Sequence, residues 1–147
     1  MSEYIHKSHN VSVLLYHYVC HAKYRRVIFD SDIERTLVET CLEISKRYEI
    51  NFLEIGTDQD HVHFLVQSVP TMAPTQIVRI IKGATSREIF RLHPEVRRQL
   101  WGGNLWSAGY FVGTVGKNGN ESQIKNYVKE QGKEYTQKYR GQITMFD

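Results

Sequence analysis

The sequence predicts an α+β fold, an antiparallel sheet of four strands covered on one face by two helices, with a third helix towards the C-terminal end. Three observations carry this prediction. The spacing of apolar residues alternates between a period of two and a period near 3.6 in the order strand, helix, strand, strand, helix, strand. The second and third strands are joined by Thr57-Asp58-Gln59-Asp60, a polar stretch short enough only for a hairpin. Both sheet-covering helices open on residues suited to a helix start.

Residues 11–22 are rich in β-branched and aromatic side chains and predict the first strand. Residues 30–48 open on the cap candidates Asp30 and Ser31, then place Ile33, Leu37, Val38, Cys41, Leu42 and Ile44 at helical spacing. Residues 49–57 and 59–69 predict the paired second and third strands. Pro74 suits a first helical turn, and Ile77, Ile80, Ile81, Ile89, Phe90 and Leu92 extend that helix to about residue 91. Residues 100–107 read as irregular, 109–116 as the fourth strand, and 117–120 as a polar loop. Residues 121–138 predict the third helix, and flexible tails are expected at 1–9 and 139–147 of a single domain spanning 1–147. The order β-α-β-β-α-β is the split β-α-β, ferredoxin-like arrangement, which hosts many functions.

A chain of 147 residues with 41% apolar and 24% charged residues is an ordinary globular domain. No apolar run of membrane-spanning length is present, and the first ten residues lack a signal-peptide layout. Cys20 and Cys41 form no CxxC and read as buried thiols, so a cytoplasmic protein is expected. Net charge is only +3, but it is segregated. Acids dominate residues 30–58, whereas Arg79, Lys82, Arg87, Arg91, Arg97 and Arg98 face only Glu88 and Glu95 in residues 74–100. Lys23, Arg25 and Arg26 add a second basic knot. Such segregation fits a polyanion-binding face, and equally fits solvated helix faces.

Two local patterns bear chemistry. His61-Val62-His63 lies within the third strand, where residues two apart share a face. Val62, Phe64 and Val66 then point to the helix-covered core, and two imidazoles stand together on the opposite face. They are either a partial metal site or two histidines of a half-polar strand. Tyr127 and Gln131, four apart, share one face of the third helix. By spacing alone they are a core tyrosine with a surface glutamine, or part of a site.

His61-Val62-His63 with Phe64, Leu65 and Val66 behind it resembles the histidine-hydrophobe-histidine motif of the HUH nucleases. Four further segments resemble the small single-tyrosine transposases (TnpA) of insertion sequences that move as single-stranded DNA. These are KYRR from Lys23, KGATSR from Lys82, WSAGYFVGTVG from Trp106 and IKNYVKEQ from Ile124. The resemblance runs from about residue 10 to 135, with the motif histidines, tyrosine and glutamine all in place.

That resemblance implies a DNA transposase, a metal-dependent single-strand endonuclease and strand-transferase. Tyr127 would be the nucleophile forming a 5′-phosphotyrosine, and His61, His63 and Gln131 would bind Mg²⁺ or Mn²⁺. It further implies single-stranded DNA with hairpin ends as partner and a homodimer sharing active sites in trans. Activity would be at the nucleoid. Lys23, Arg25, Arg26, Arg79, Lys82 and Arg87 are the candidates for phosphate contacts. Trp101, Trp106 and Tyr110 are either base-stacking platforms or core and loop anchors. Besides a metal-bound hydrolase that uses the histidine pair without the tyrosine, two alternatives stay open. One is a host-adopted tyrosine transposase acting on chromosomal repeats with the same chemistry. The other is a non-catalytic nucleic-acid-binding module on the same fold.

Overall fold

The computed structural model describes residues 5–7, 10–12, 14–101, 103–115 and 136–141. Within them the predicted order is present. Strand β3 (Leu14–His21) leads to α1 (Ser31–Arg47), then to β4 (Ile50–Asp58) and β5 (His61–Ser68). Helix α2 (Pro74–Leu92) follows, and β6 (Phe111–Val115) returns to the sheet. The N-terminal β1 (Ile5–Lys7) and β2 (Asn10–Ser12) form a separate antiparallel pair, where a flexible tail and the start of the first long strand are expected.

The main sheet has the order β6-β3-β5-β4-β7 with every described pairing antiparallel. Its first four members reproduce the split β-α-β order. The fifth, β7 (Thr136–Arg140), corrects the prediction that the third helix runs to residue 138. The segment pairs with β4, and Lys138 Nζ reaches Glu34 Oε2 at 3.1 Å. Pairing satisfies main-chain groups that β4 would otherwise leave open at the sheet edge. Gly141 closes this join: its N–H donates to the Leu53 carbonyl at 2.8 Å, and a Cβ there would run into the Phe52 carbonyl oxygen.

Helix α1 begins where the Asp30 side chain accepts a hydrogen bond from the Ile33 N–H at 3.0 Å. Asp32 and Glu34 lie in its first turn and Lys46 and Arg47 in its last, each favourable to the helix dipole. Its inner face buries Ile33, Leu37, Cys41 and Ile44. Helix α2 starts at Pro74 and buries Ile77, Val78, Ile81, Thr85 and Ile89. Both pack on the sheet face carrying Tyr18, Cys20, Ile55, Val62, Phe64 and Val66, which form one core. A short helix unforeseen in the sequence, α3 (Pro94–Gln99), adds Val96 to that core.

A bulge at Leu53 sets which residues face the site. Phe52 pairs with Val66 and Glu54 with Leu65, so one extra residue sits between them. It lets both Phe52 and Ile55 face the helices, and it puts Glu54, Gly56 and Asp58 on the other face, opposite Leu65, His63 and His61.

Candidate functional site

The face away from the helices carries the histidines. Alternation along β5 sends Val62, Phe64 and Val66 into the core and His61, His63 and Leu65 outward, as the sequence predicts. The His61 and His63 ring centroids lie 5.1 Å apart. Strand β3 brings two more histidines to the same face. His21 pairs in register with His61, and His17 sits beside His63 with ring centroids 5.3 Å apart. This face is closed as well: His17, Glu54, His63, Leu65 and Gln67 are all buried.

Each motif histidine is tied through Nδ1. His61 Nδ1 lies 2.8 Å from Asp60 Oδ1, and His63 Nδ1 lies 3.1 Å from His17 Nε2. Asp58 Oδ2 stands 3.9 Å from His61 Nε2, an anionic group on the other side of that ring. Burial, followed by the neighbouring His17 and His61, pushes His63 down to about 3. It is therefore neutral near physiological pH, the form that ligates metals. His21 is lowered by burial and then by Arg25 and His61, while the hydrogen bond from His61 is the main cause of the lowered Asp60 carboxyl.

Paired imidazoles fit part of an N/O donor set for a divalent ion. Among the described residues, no group of three or more His, Cys, Asp or Glu could hold an ion. Gln131, like Tyr127, lies outside the described residues.

The six basic candidates separate into two places. Lys23, Arg25 and Arg26 lie on the turn just beyond His21, at the histidine end of the sheet. Tyr24 and Arg25 adopt left-handed backbone, with φ of 60° and 52°, and Tyr24, Arg25 and Arg26 are exposed. Strained backbone of this kind concentrates at functional sites. Lys23 Nζ lies over the Tyr24 ring at 5.0 Å. Arg79, Lys82 and Arg87 lie on α2, across the sheet from the histidines. Arg79 and Arg87 line an open groove of about 810 Å³ between α1 and α2. Lys82 instead donates to the carbonyls of Ser107, Ala108 and Gly109 at 2.9, 3.4 and 3.0 Å, clamping the segment that leads into β6.

The aromatic candidates also divide. Trp106 is buried, and its indole N–H donates to Thr85 Oγ1 at 3.0 Å, which makes it a core anchor. Tyr110 is half-buried under Lys82. Trp101 is 81% exposed at a φ of 58°. Sequence reasoning passed over His17, His21 and Asp60. Their signal was present: His17 and His21 are four apart in a strand and share a face, and Asp60 precedes the motif.

Comparison with known proteins gives a consistent result. A family model described as "Transposase IS200 like" matches residues 10–131. The ISDra2 transposase TnpA of Deinococcus radiodurans is 31% identical over 118 residues, covering 80% of this chain and 84% of that protein. A Salmonella typhimurium transposase for insertion sequence element IS200 is 29% identical over 116 residues, covering 79% and 75%. Among solved structures, a transposase candidate from D. radiodurans superposes with a TM-score of 0.70 at 28% identity, covering 86% of this chain and 96% of that one. A REP-associated tyrosine transposase bound to a REP hairpin gives 0.55 at 11% identity, covering 87% and 68%. At that identity the second likeness is one of fold.

Proposed function

The chain belongs to the IS200-like transposase family, and from that membership we propose that it cuts and rejoins single-stranded DNA through a covalent bond to Tyr127. The reading rests on one observation above all. Two imidazoles, His61 and His63, are held side by side on the sheet face opposite α1 and α2.

In this reading the Tyr127 hydroxyl oxygen attacks the scissile phosphorus. A phosphorus–oxygen bond to Tyr127 forms and the bond to the 3′ oxygen breaks. The phenolic proton leaves to water, and the departing 3′ oxygen takes one up, giving a 5′-phosphotyrosine and a free 3′-hydroxyl. The ester keeps much of the energy of the broken bond, so a different 3′-hydroxyl can reverse the step and join new ends without ATP. His61, His63 and Gln131 would hold Mg²⁺ or Mn²⁺. The ion, when bound, supplies Lewis-acid relief of charge on the phosphate oxygens. The work of the chain is to place the nucleophile in line and to keep His63 neutral and oriented.

Hairpin-ended single-stranded DNA is the proposed substrate, the class that the chain's resemblance to the single-tyrosine transposases implies. Lys23, Arg25 and Arg26 flank the histidine end of the sheet and suit contacts to a strand entering there. A homodimer with sites completed in trans is the proposed assembly. Strand β6 supports it: it is an edge of the described sheet, with Phe111 and Val112 58% and 36% exposed, an edge a second copy can extend. Among the described residues no helix is long and apolar enough to cross a membrane, and we place the protein in the cytoplasm, at the nucleoid when acting. A mobile-element role is favoured over a host-adopted one, because identity is 31% and 29% to insertion-sequence transposases but 11% to the REP-associated enzyme.

The test is direct. Labelled single-stranded hairpin DNA is incubated with the protein and Mn²⁺ and run on a denaturing gel. The wild type should yield a protein–DNA adduct, and Tyr127→Phe should yield none. Cleavage that persists in Tyr127→Phe would mean hydrolysis without the tyrosine. Binding without any adduct in the wild type would mean a non-catalytic module.

A further inference from the structure

His17 lies on β3, next to β5, and stands in register with Leu65, one pleat along from the partner of His63. Its ring lies nearly parallel to that of His63, at an interplanar angle of 18°, and meets it edge to edge, with the facing nitrogens, His17 Nε2 and His63 Nδ1, 3.1 Å apart. Both side chains are buried. His61 has an equivalent tie of different chemistry, its Nδ1 lying 2.8 Å from the Asp60 carboxylate.

A ring committed through Nδ1 can bind an ion only through Nε2. For a neutral imidazole to do so, Nε2 must carry no hydrogen, so the proton sits on Nδ1 and is donated to the neighbour. Asp60 can accept it as a carboxylate. His17 can accept it through Nε2 when its own proton is on Nδ1. The same bonds fix rotation of both rings. The hydrogen bond also places His17 on the Nδ1 side of His63, away from Nε2.

We infer that His17 and Asp60 are positioning residues, holding His63 and His61 by Nδ1 in the tautomer and orientation that present Nε2 to one divalent cation. The inference rests on the metal reading proposed above. Groups of this kind typically change metal affinity about 10- to 100-fold when removed.

The test uses the full-length protein and Mn²⁺ alone, titrated calorimetrically and by loss of the electron paramagnetic resonance signal of the free ion. His17→Phe and Asp60→Ala should each bind Mn²⁺ about 10- to 100-fold more weakly than the wild type. His17→Gln, whose amide oxygen can accept from His63 Nδ1–H, should restore affinity to within a few-fold. Hairpin DNA affinity without metal should be unchanged in all three. A folded His17→Phe that binds Mn²⁺ like the wild type overturns the assignment of His17, and a folded Asp60→Ala that does so overturns that of Asp60. His63→Ala separates the two levels: if it too binds like the wild type, the metal reading itself is wrong. Long-range ¹H–¹⁵N spectra of the metal-free wild type decide the matter without substitution. Nδ1–H tautomers at His61 and His63 are expected, and an Nε2–H tautomer at His63 overturns the inference.

Discussion

Individual side chains acquire their chemistry here from what surrounds them. Cys20 and Cys41 are free thiols buried in the core, and burial pushes Cys20 up to about 12 and Cys41 higher still. The thiolate is the reactive form, so the native protein should resist iodoacetamide in mildly alkaline buffer, and both thiols should be alkylated in denaturant. Mass spectrometry reads the result, and early labelling of either thiol would contradict the packing. The linkage has a definite sign. Between the ordinary thiol value of 9.0 and about 12, the unfolded chain releases a proton that folded Cys20 keeps. Stability should therefore fall as pH rises through that window, and be unaffected by this group below it. His63 shows the complementary effect: burial removes its charge and makes it available as a ligand.

At the scale of elements, Lys82 shows how the setting of a residue adds a second role to the one its type suggests. In sequence it belongs to a basic cluster and reads as a phosphate contact. In the fold its ammonium satisfies three consecutive carbonyls of the segment entering β6, while Trp106 in the same segment is pinned to Thr85 of α2. Lys82→Met should lower unfolding free energy by about 2 kcal/mol in urea, since hydrogen bonds to a charged group are lost. It should leave the salt dependence of hairpin binding near that of the wild type. A salt slope reduced by about one, with stability intact, would restore the phosphate-contact role. The β4 bulge works at the same scale. One extra residue, Leu53, switches which side chains of β4 share a face, and so puts Gly56, with no side chain, opposite His63.

For the whole molecule, the proposed site requires groups from both the sheet and the segment carrying Tyr127. If sites are shared between subunits, mixing Tyr127→Phe with His61→Ala protein should restore adduct formation that neither variant shows alone. Continued inactivity in confirmed mixed dimers would place each site within one chain. Val112→Lys, on the exposed edge strand, should shift the sedimentation profile from dimer to monomer if β6 is the interface. An unchanged profile would move the interface elsewhere.

Periodicity and caps are local, and they sufficed for the order β-α-β-β-α-β, the core face of β5 and the pairing of His61 with His63. Each depends on residues a few positions apart, where the backbone period alone decides direction. The short α3 escaped because one turn and a half shows no readable period. The strand at Thr136–Arg140 escaped because a strand edge, not the segment itself, completes it. The neighbours of the histidines belong to the same class. His17 and His63 are 46 residues apart, and Lys82 is 25 to 27 residues from the carbonyls it holds. Strand register and helix packing bring such groups together, and only the tertiary structure could place Lys82 on the carbonyls of residues 107–109 and His17 beside His63. A hydrogen bond is decided by distance and angle, and neither is encoded in the spacing of residues along the chain.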